Sequence, residues 1–279
     1  MESKDLTIII VTFKSEKKIA NCLKSIPPQI KVIIIENSNN INFKKNIENQ
    51  FSNSECILMG ENKGYAAANN AGLKLVKTRY ALVLNPDTIL DKNAVENFLI
   101  SAKKNDEFWL MGPANDQKKK INFDNNGLAE VENLKGFAIF FNISKFKEKF
   151  FDEKYFLYFE EIDLCKSVKK ENGKIFLDKS IKIIHKGASS VDNIDEEELE
   201  KNRNWHWMWS SFYYHKKYGN YLTALLKMSG KFIKSLLKSI IFSIIYNKKK
   251  QTMYFARFYG LLCAFIGTKS FYRVKSLFE

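Results

Sequence analysis

The stretch LTIIIVTF at Leu6–Phe13 is an uninterrupted run of β-branched and other apolar residues. Such a run is typical of a strand that is buried on both faces of a parallel sheet. Two similar runs follow, KVIII at Lys31–Ile35 and YALVL at Tyr80–Leu84, and helix-like segments separate the three. This alternation with short connections predicts a doubly wound α/β domain, in which ligands bind at the carboxyl ends of the strands.

A carboxylate follows the third of these strands. Asp87, in the sequence Asn85-Pro86-Asp87, would project from the strand end into the crevice, where it can hold a divalent cation. An ordinary Asn-Pro turn is the alternative interpretation of the same three residues.

The segment NKGYAAANNAG at 62–72 combines a glycine, a run of alanines and two asparagines. It predicts a helix over Gly64–Lys77 whose first glycine lets the backbone approach a ligand closely. Asparagine and glycine weaken helices, which favours a binding role, although helix packing alone is the alternative.

Three acids, Glu160, Glu161 and Asp163, follow the aromatic run Tyr155–Phe159. Acids at the edge of an apolar pocket suit general-base chemistry, because burial raises the pKa of a carboxyl group. Acids in the first turn of a helix, favoured by the helix dipole, are the alternative. His185 ends a later apolar run and precedes Gly187 and two serines, which indicates a loop beside a site. A structural histidine with its hydrogen bonds satisfied is the alternative interpretation.

In order and spacing these segments resemble glycosyltransferase family 2, the nucleotide-sugar-dependent enzymes with the GT-A fold, and within it the bacterial rhamnosyltransferase-like branch. The resemblance covers roughly residues 5–220. It rests on Val11–Phe13, on Glu36-Asn37-Ser38, on the 62–72 segment, on Asn85-Pro86-Asp87 and on FEEIDL at Phe159–Leu164. It implies a GT-A fold with a mixed α/β sheet.

The resemblance also implies roles for individual residues. The implied nucleotide-binding residues are Thr12, Phe13, Glu36, Asn62, Gly64, Tyr65, Asn70 and Asn85. Asp87 and His185 match the residues that hold a divalent metal, Mg²⁺ or Mn²⁺, in the family. Glu161 stands at the position of the general base, with Glu160 and Asp163 as alternatives, and Gly136 lies near the acceptor-side loop.

The implied reaction is inverting transfer of a sugar from a nucleotide-diphosphate sugar to a hydroxyl of a cell-surface glycan or a lipid-linked acceptor. The branch resemblance implies rhamnose as the sugar. A sugar nucleotidyltransferase of the same fold is a rival, but it needs a Gly- and Arg-rich triphosphate loop, which residues 12–16 do not supply.

Positive charge is concentrated at one end of the chain. Of the 45 Lys and Arg and 31 Asp and Glu residues, residues 201–279 contain 15 bases and one acid, which leaves 30 of each in residues 1–200. The net charge of +14 therefore belongs to the last 79 residues. We predict a catalytic domain at 1–200, with a nucleotide-binding half at 1–104 and an acceptor and catalytic half at 105–200, followed by a basic helical tail at 201–279.

Four lysines of the tail, Lys227, Lys231, Lys234 and Lys238, recur at helical spacing among long aliphatic residues. This pattern predicts that residues 221–266 lie on an anionic membrane surface, which would place the enzyme peripherally on the cytoplasmic face. A helical hairpin packed on the domain is one alternative. Nucleic-acid binding is another, made less favourable by the aliphatic character of the segment.

Overall fold

The computed structural model describes residues 5–114, 121–147, 149–185 and 195–274. The strands in these ranges are β1 (Leu6–Thr12), β2 (Lys31–Glu36), β3 (Ser54–Leu58), β4 (Tyr80–Leu84), β5 (Thr88–Leu90), β6 (Phe108–Pro113), β7 (Leu128–Glu130), β8 (Ala138–Asn142), β9 (Lys174–Asp178) and β10 (Ile183–His185). The α-helices are α1 (Glu16–Lys24), α2 (Ile41–Gln50), α3 (Tyr65–Leu73), α4 (Ala94–Lys104), α5 (Glu160–Lys170), α6 (Glu196–Tyr218), α7 (Tyr221–Ile244) and α8 (Lys248–Phe265).

The strands form one mixed sheet of eight and one two-stranded sheet. The order in the larger sheet is β3-β2-β1-β4-β8-β6-β9-β7, and β10 pairs with β5. β1 is parallel to both β2 and β4, and β8 runs antiparallel to β4 and β6. The predicted mixed α/β sheet is confirmed, and the carboxyl ends of β1, β2 and β4 lie side by side.

Every residue of β1 is buried, as the apolar run predicts. Ile8 and Ile10 belong to the core on one face of the sheet, and Ile9 and Val11 belong to the core on the other face. On this second face α3 packs so closely that a Cβ on Gly72 would lie 2.6 Å from Ile9 Cγ2. Gly72 therefore sets the distance between α3 and the strands that carry the site.

The prediction of a helix over Gly64–Lys77 is wrong in its length, since α3 ends at Leu73. The backbone N–H of Leu75 donates to Gly72 O at 3.0 Å and that of Val76 donates to Leu73 O at 3.2 Å. These bonds reach back three residues, so the chain leaves the α-helix through tighter turns of the 3₁₀ type.

The chain divides into two compact units, Met1–Asp152 with Glu161–Asp192 and Glu153–Glu160 with Asn193–Glu279. The predicted domain boundary at residue 200 falls inside α6, which begins at Glu196. The Asp195 side chain accepts a hydrogen bond from Glu198 N at 3.1 Å, and three acids occupy the first turn, where the helix dipole favours negative charge. A capping residue and acids, rather than a repeat of apolar residues, begin this helix. The sequence pattern therefore predicted the helical tail only from residue 201.

In the second unit α6, α7 and α8 pack around a core of their own, which includes Trp205, Phe212, Met228 and Leu261. A Cβ on Gly260 of α8 would meet the carbonyl oxygen of Trp205, so these two helices approach closely at that point. Among the described residues there is no helix whose length and hydropathy would let it cross a bilayer.

Candidate active site

The first part of the site is a pair of strand ends. Thr12 and Glu36 are register partners at the carboxyl ends of β1 and β2, and the backbone N–H of Asn37 donates to Thr12 O at 2.7 Å. Thr12 Oγ1 is buried and has no hydrogen-bond partner among the described residues. A buried hydroxyl of this kind can bind a ligand group, because it gives up no protein partner in doing so. Phe13 follows, half-buried, with Lys14 Nζ 5.6 Å from its ring centroid.

The carboxylate of Glu36 organises the loop after β2. Its Oε1 accepts a hydrogen bond from Ser38 Oγ at 2.6 Å, and its Oε2 accepts from the backbone N–H groups of Ser38 and Asn40 at 3.2 and 3.1 Å. The loop is therefore built around this buried acid. Contact of Glu36 with the nucleotide base stays a prediction.

Asn37 connects two loops at the site, although the sequence analysis gave it no role of its own within Glu36-Asn37-Ser38. Its Nδ2 donates to Asn62 Oδ1 at 3.0 Å and to Gly64 O at 3.2 Å, and its Oδ1 accepts from Lys63 N at 3.0 Å. Gly64 has φ +88°, in the region that favours glycine. Asn37 thus ties the loop after β2 to the entrance of α3; its place between Glu36 and Ser38 was the available signal.

The side-chain amide of Asn70 is hydrogen-bonded to the backbone of Phe151. Its Nδ2 donates to Phe151 O and its Oδ1 accepts from Phe151 N, both at 2.9 Å. Both ends of the amide therefore hold the backbone of residue 151, and binding of the nucleotide by Asn70 stays a prediction.

Tyr65 connects the start of α3 to the loop before β8. Its hydroxyl lies 2.8 Å from Gly136 O and 3.3 Å from Asn85 Oδ1. The backbone N–H of Asn85 donates to Phe137 O at 2.9 Å, which fastens the end of β4 to the same loop. A single tyrosine thus contacts both of the segments that the sequence assigned to different halves of the site.

Asp87 and His185 lie together, and their binding of a metal stays a prediction. The pairing of β5 with β10 sets His185 opposite Thr88, and His185 Nε2 is 3.5 Å from Asp87 Oδ1. The His185 ring stacks on Phe137 with centroids 4.6 Å apart. Asp87 Oδ1 is buried and accepts no hydrogen bond from the described residues, although a buried carboxylate ordinarily has partners.

A carboxylate oxygen and an imidazole nitrogen fit a divalent cation. Within the part of the chain that the structure describes, no group of three or more His, Cys, Asp or Glu residues could hold a metal.

The three acids differ in exposure. Glu160 and Asp163 are buried, with 6% and 2% of their surfaces exposed, whereas Glu161 is half-buried. Burial is the main cause that raises the pKa of Glu161, while hydrogen bonds from the backbone N–H groups of Glu161 and Ile162 oppose the rise. A Cβ on Gly136 would lie 3.6 Å from Glu161 Cγ and 3.7 Å from its Cδ. Glu161 is thus the acid beside the acceptor-side glycine.

The cysteines are not candidates for nucleophilic chemistry. All four are buried and unpaired. Burial raises the pKa of Cys22, Cys56 and Cys165 to about 12, so these thiols are protonated at neutral pH.

Comparison with known proteins places this geometry in a family. The model of glycosyl transferase family 2 matches residues 7–164. The low-salt glycan biosynthesis hexosyltransferase Agl10 of Haloferax volcanii is 24% identical over 208 residues, which cover 65% of this chain and 67% of the relative.

Comparison with solved structures gives two matches. GalNAc-T7 with UDP, GalNAc and Mn²⁺ matches with a TM-score of 0.56 at 11% identity, over 76% of this chain and 50% of that one. S. aureus TarS matches with a TM-score of 0.49 at 15% identity, over 71% of this chain and 39% of that one. The chain therefore spans half or less of either solved chain. The first likeness, together with the mixed sheet, confirms the GT-A fold.

Proposed function

The chain belongs to glycosyl transferase family 2, and on that premise we propose that it transfers a hexose, with inversion, from a nucleotide-diphosphate sugar to a hydroxyl of a glycan or lipid-linked acceptor. The observation that carries the proposal is the buried Oδ1 of Asp87, which accepts no hydrogen bond from the described residues and lies 3.5 Å from His185 Nε2. This pair stands at the end of β4, where the diphosphate of a donor would bind.

The donor nucleotide would bind along the ends of β1, β2 and β4. Thr12 supplies a buried hydroxyl, and the loop built on Glu36 and the Asn37–Asn62 hydrogen bond supply a fixed wall. Gly64, at the start of α3, lets the backbone approach the nucleoside without a side chain between them.

Asp87 and His185 would hold Mg²⁺ or Mn²⁺, as their donor atoms allow. When bound, such a cation offsets negative charge on the departing diphosphate. The family membership and the carboxylate–imidazole pair support this assignment.

Glu161 would act as the general base. It accepts the proton of the acceptor hydroxyl while that oxygen forms a bond to the anomeric carbon. The bond from the same carbon to the diphosphate oxygen breaks, and its electrons leave with the nucleoside diphosphate, so the configuration inverts. The raised pKa and partial exposure of Glu161 support this choice over the buried Glu160 and Asp163.

Rhamnose is the donor sugar that the branch resemblance suggests, and the similarity to a hexosyltransferase of glycan biosynthesis supports a hexose and a glycan acceptor in general. A panel of nucleotide sugars, with Mg²⁺ or Mn²⁺ and with chelator, would identify the donor by the release of nucleoside diphosphate. Family membership favours this activity over the nucleotidyltransferase alternative.

The central experiment compares Glu161→Gln, Asp87→Asn and the control Asp91→Asn, an exposed acid after β5. We expect Glu161→Gln to lower the transfer rate by about 100-fold or more with nearly unchanged donor affinity. Asp87→Asn should raise the Mn²⁺ concentration needed for half-maximal donor binding, and Asp91→Asn should leave both quantities unchanged. Full activity of Glu161→Gln would exclude Glu161 as the base.

We also propose that the second unit lies on a membrane surface, on the cytoplasmic face by expectation from the sequence; the exposed side of α7 supports contact with a membrane. Seven exposed aliphatic residues recur at helical spacing on the side of α7 away from its buried side: Leu222, Leu226, Ile233, Leu237, Ile240, Ile241 and Ile244. A surface helix in water normally has its polar residues on that side. Lys227, Lys231 and Lys234 are exposed along one border, which suits anionic headgroups.

Lys238 differs from the other three lysines, since its Nζ contacts the Tyr254 hydroxyl of α8 at 3.1 Å. Flotation with liposomes of anionic or neutral lipid tests the surface. We expect binding to anionic liposomes that is weakened by the triple change K227Q/K231Q/K234Q and not by K103Q/K104Q in α4. Equal binding of all variants would contradict a role for the α7 lysines, and binding to an oligonucleotide alone would favour the nucleic-acid alternative.

A further inference from the structure

Thr88 is connected to both residues of the proposed metal site. It follows Asp87 directly in the chain, and it is the register partner of His185 in the pairing of β5 with β10. The side chains of Thr88 and of Cys22, which lies beside it on α1, are fully buried. All four residues belong to the first compact unit. Thr88 can therefore hold both members of the pair at once.

The hydroxyl of Thr88 closes the turn that carries Asp87. Its Oγ1 donates to Asn85 O at 2.7 Å, and the backbone N–H of Thr88 donates to the same oxygen at 3.2 Å. The backbone bond reaches back three residues, as in a β-turn, and Pro86 stands at the second position, where its fixed φ suits such a turn. Asp87 occupies the third position, so two hydrogen bonds from the next residue fix the backbone on which it stands.

Helix α1 supports the same contact from behind. Cys22 Sγ lies 3.6 Å from Thr88 Oγ1 and 3.7 Å from Asn85 O. At the other end of β5, the backbone N–H of Leu90 donates to Ser25 Oγ at 3.0 Å. A two-stranded ribbon with three residues in each strand has little stability of its own. The contacts from α1 therefore fasten β5 at both ends.

We propose that Thr88 is a positioning residue for Asp87 and His185, an inference that rests on the proposed function. Asp87 Oδ1 accepts no hydrogen bond from the described residues, so the position of this atom depends on the turn that carries it. His185 stands at the end of the β5–β10 ladder, and its Nε2 is 3.5 Å from Asp87 Oδ1. Thr88 fixes the turn through its side chain and His185 through its backbone pairing. It thereby sets the distance between the two donor atoms.

The spacing of this pair matters because the described residues offer no third protein ligand there. Metal ligands have to stand close to ideal distances, and a pair cannot compensate for a misplaced member. Groups that hydrogen-bond directly to a ligand side chain commonly change metal affinity about 10- to 100-fold. Thr88 acts through the backbone, one step further away, so its effect should be smaller.

The test is the binding of Mn²⁺ alone to the full chain, measured from the EPR signal of the free ion. The part of the binding that Asp87→Asn removes defines the site. We expect Thr88→Val to raise the Kd of that site about three- to tenfold. Valine keeps the shape of the side chain and the backbone bond to Asn85, but it lacks the hydroxyl. Thr88→Ser, which restores a hydroxyl, should stay within about twofold of the wild type.

Thr78→Val is the matched control. The hydroxyl of Thr78 likewise donates to a carbonyl oxygen, that of Tyr80 at 2.8 Å, but at the amino end of β4. This change should leave the affinity for Mn²⁺ unchanged. The melting temperatures of the two valine variants show whether a loss of binding follows from a loss of stability alone. Thr88→Ala, a second variant without the hydroxyl, should weaken binding as Thr88→Val does.

The outcomes separate this inference from the proposed function. Equal affinity of Thr88→Val and the wild type, an equal loss in Thr78→Val, or no rescue by Thr88→Ser would overturn the role of Thr88 and leave the proposed function standing. Wild-type protein without Asp87-dependent binding of Mn²⁺ would overturn the metal assignment and this inference with it. Release of nucleoside diphosphate from a nucleotide sugar tests the transfer activity independently of both.

Discussion

The hydroxyl of Tyr65 donates a hydrogen bond to the carbonyl oxygen of Gly136 over 2.8 Å. Tyr65 is the first residue of α3, on the side of the site assigned to the nucleotide, and Gly136 faces the side chain of Glu161. The contact therefore fixes the loop that contains Gly136 relative to α3.

Tyr65→Phe should lower the transfer rate more than donor affinity. The change removes the hydroxyl, with its contacts to Gly136 O and Asn85 Oδ1, and leaves the ring in place; a hydrogen bond is worth about 1 kcal/mol. We expect kcat to fall about three- to tenfold, with the dissociation constant of the donor nucleotide within about twofold. Tyr272→Phe removes a comparable bond to Glu198 in the second unit and serves as the control. An equal loss in both variants would mean that the Tyr65 bond has no special part in transfer.

The pH dependence of transfer should follow Glu161. A base works in its deprotonated form, and burial raises the pKa of Glu161, so the acid limb of the kcat profile should lie above the pH at which an ordinary glutamate titrates, about 4.3. Rates measured from pH 4 to 8 give this limb. A profile that is flat down to an ordinary carboxyl value would argue against Glu161.

The stability of the protein should change with pH in the direction opposite to the transfer rate, because of Glu161. A folded-state pKa above the unfolded value means that the folded state binds the proton more tightly, so stability falls as pH rises through that raised pKa. Glu161→Gln should therefore stabilise the protein at pH 7, and the gain should vanish below about pH 4. Urea unfolding of Glu161→Gln and of the wild type at pH 7 and at about pH 4 measures this gain in stability.

Glu48→Gln supplies the contrasting variant for this measurement. The hydrogen bond from Lys44, at 2.8 Å, lowers the pKa of Glu48. The stabilisation from Glu48 is present above the unfolded pKa and is lost as pH falls through the lowered folded pKa. Glu48→Gln should thus destabilise at pH 7. Changes in stability of the same sign in Glu161→Gln and Glu48→Gln would show that burial does not raise the pKa of Glu161.

Two glycines in helices should respond to alanine in opposite ways. At Gly72 a Cβ would lie 2.6 Å from Ile9 Cγ2 and 3.2 Å from Ile35 Cγ1, so Gly72→Ala should destabilise by about 1–3 kcal/mol. At Gly230 nothing lies within 4 Å, and Gly230→Ala should stabilise α7 by about 0.5–1 kcal/mol. The midpoints of urea unfolding of the two variants test both changes in stability. An alanine at Gly72 with no loss of stability would mean that α3 can move away from the sheet.

The second unit should lose stability in mild acid. His206 is fully buried, and burial lowers its pKa to about 3, whereas an unfolded histidine titrates near 6.5. The unfolded state therefore takes up the proton first, and stability falls as pH drops below about 6.5, by about 2 kcal/mol at pH 5. Tryptophan fluorescence during urea unfolding reports α6, which contains Trp205, Trp207 and Trp209. His206→Gln should flatten this dependence, and an unchanged slope would contradict the assignment.

Short-range patterns predicted most of the central strands, while the roles assigned to the site residues stay predictions. The apolar runs at Leu6, Lys31 and Tyr80 became β1, β2 and β4 because a continuous apolar segment is stable only when both faces are covered. The start of α6 at Glu196 was missed because caps and charges, rather than periodicity, begin that helix. The contacts of Asn37 were not predicted because they are hydrogen bonds to Asn62, Lys63 and Gly64, which lie in another loop.

By itself the sequence determined the fold class, the polar residues at the strand ends and the location of the positive charge, because these depend on local periodicity and composition. Only the tertiary structure decided which of those residues meet. The pairing of β5 with β10 brings His185 to Asp87, and α3 packing on the sheet brings Tyr65 to Gly136. It also decided that the aliphatic side of α7 faces solvent, since exposure depends on what packs against a helix and not on the helix alone.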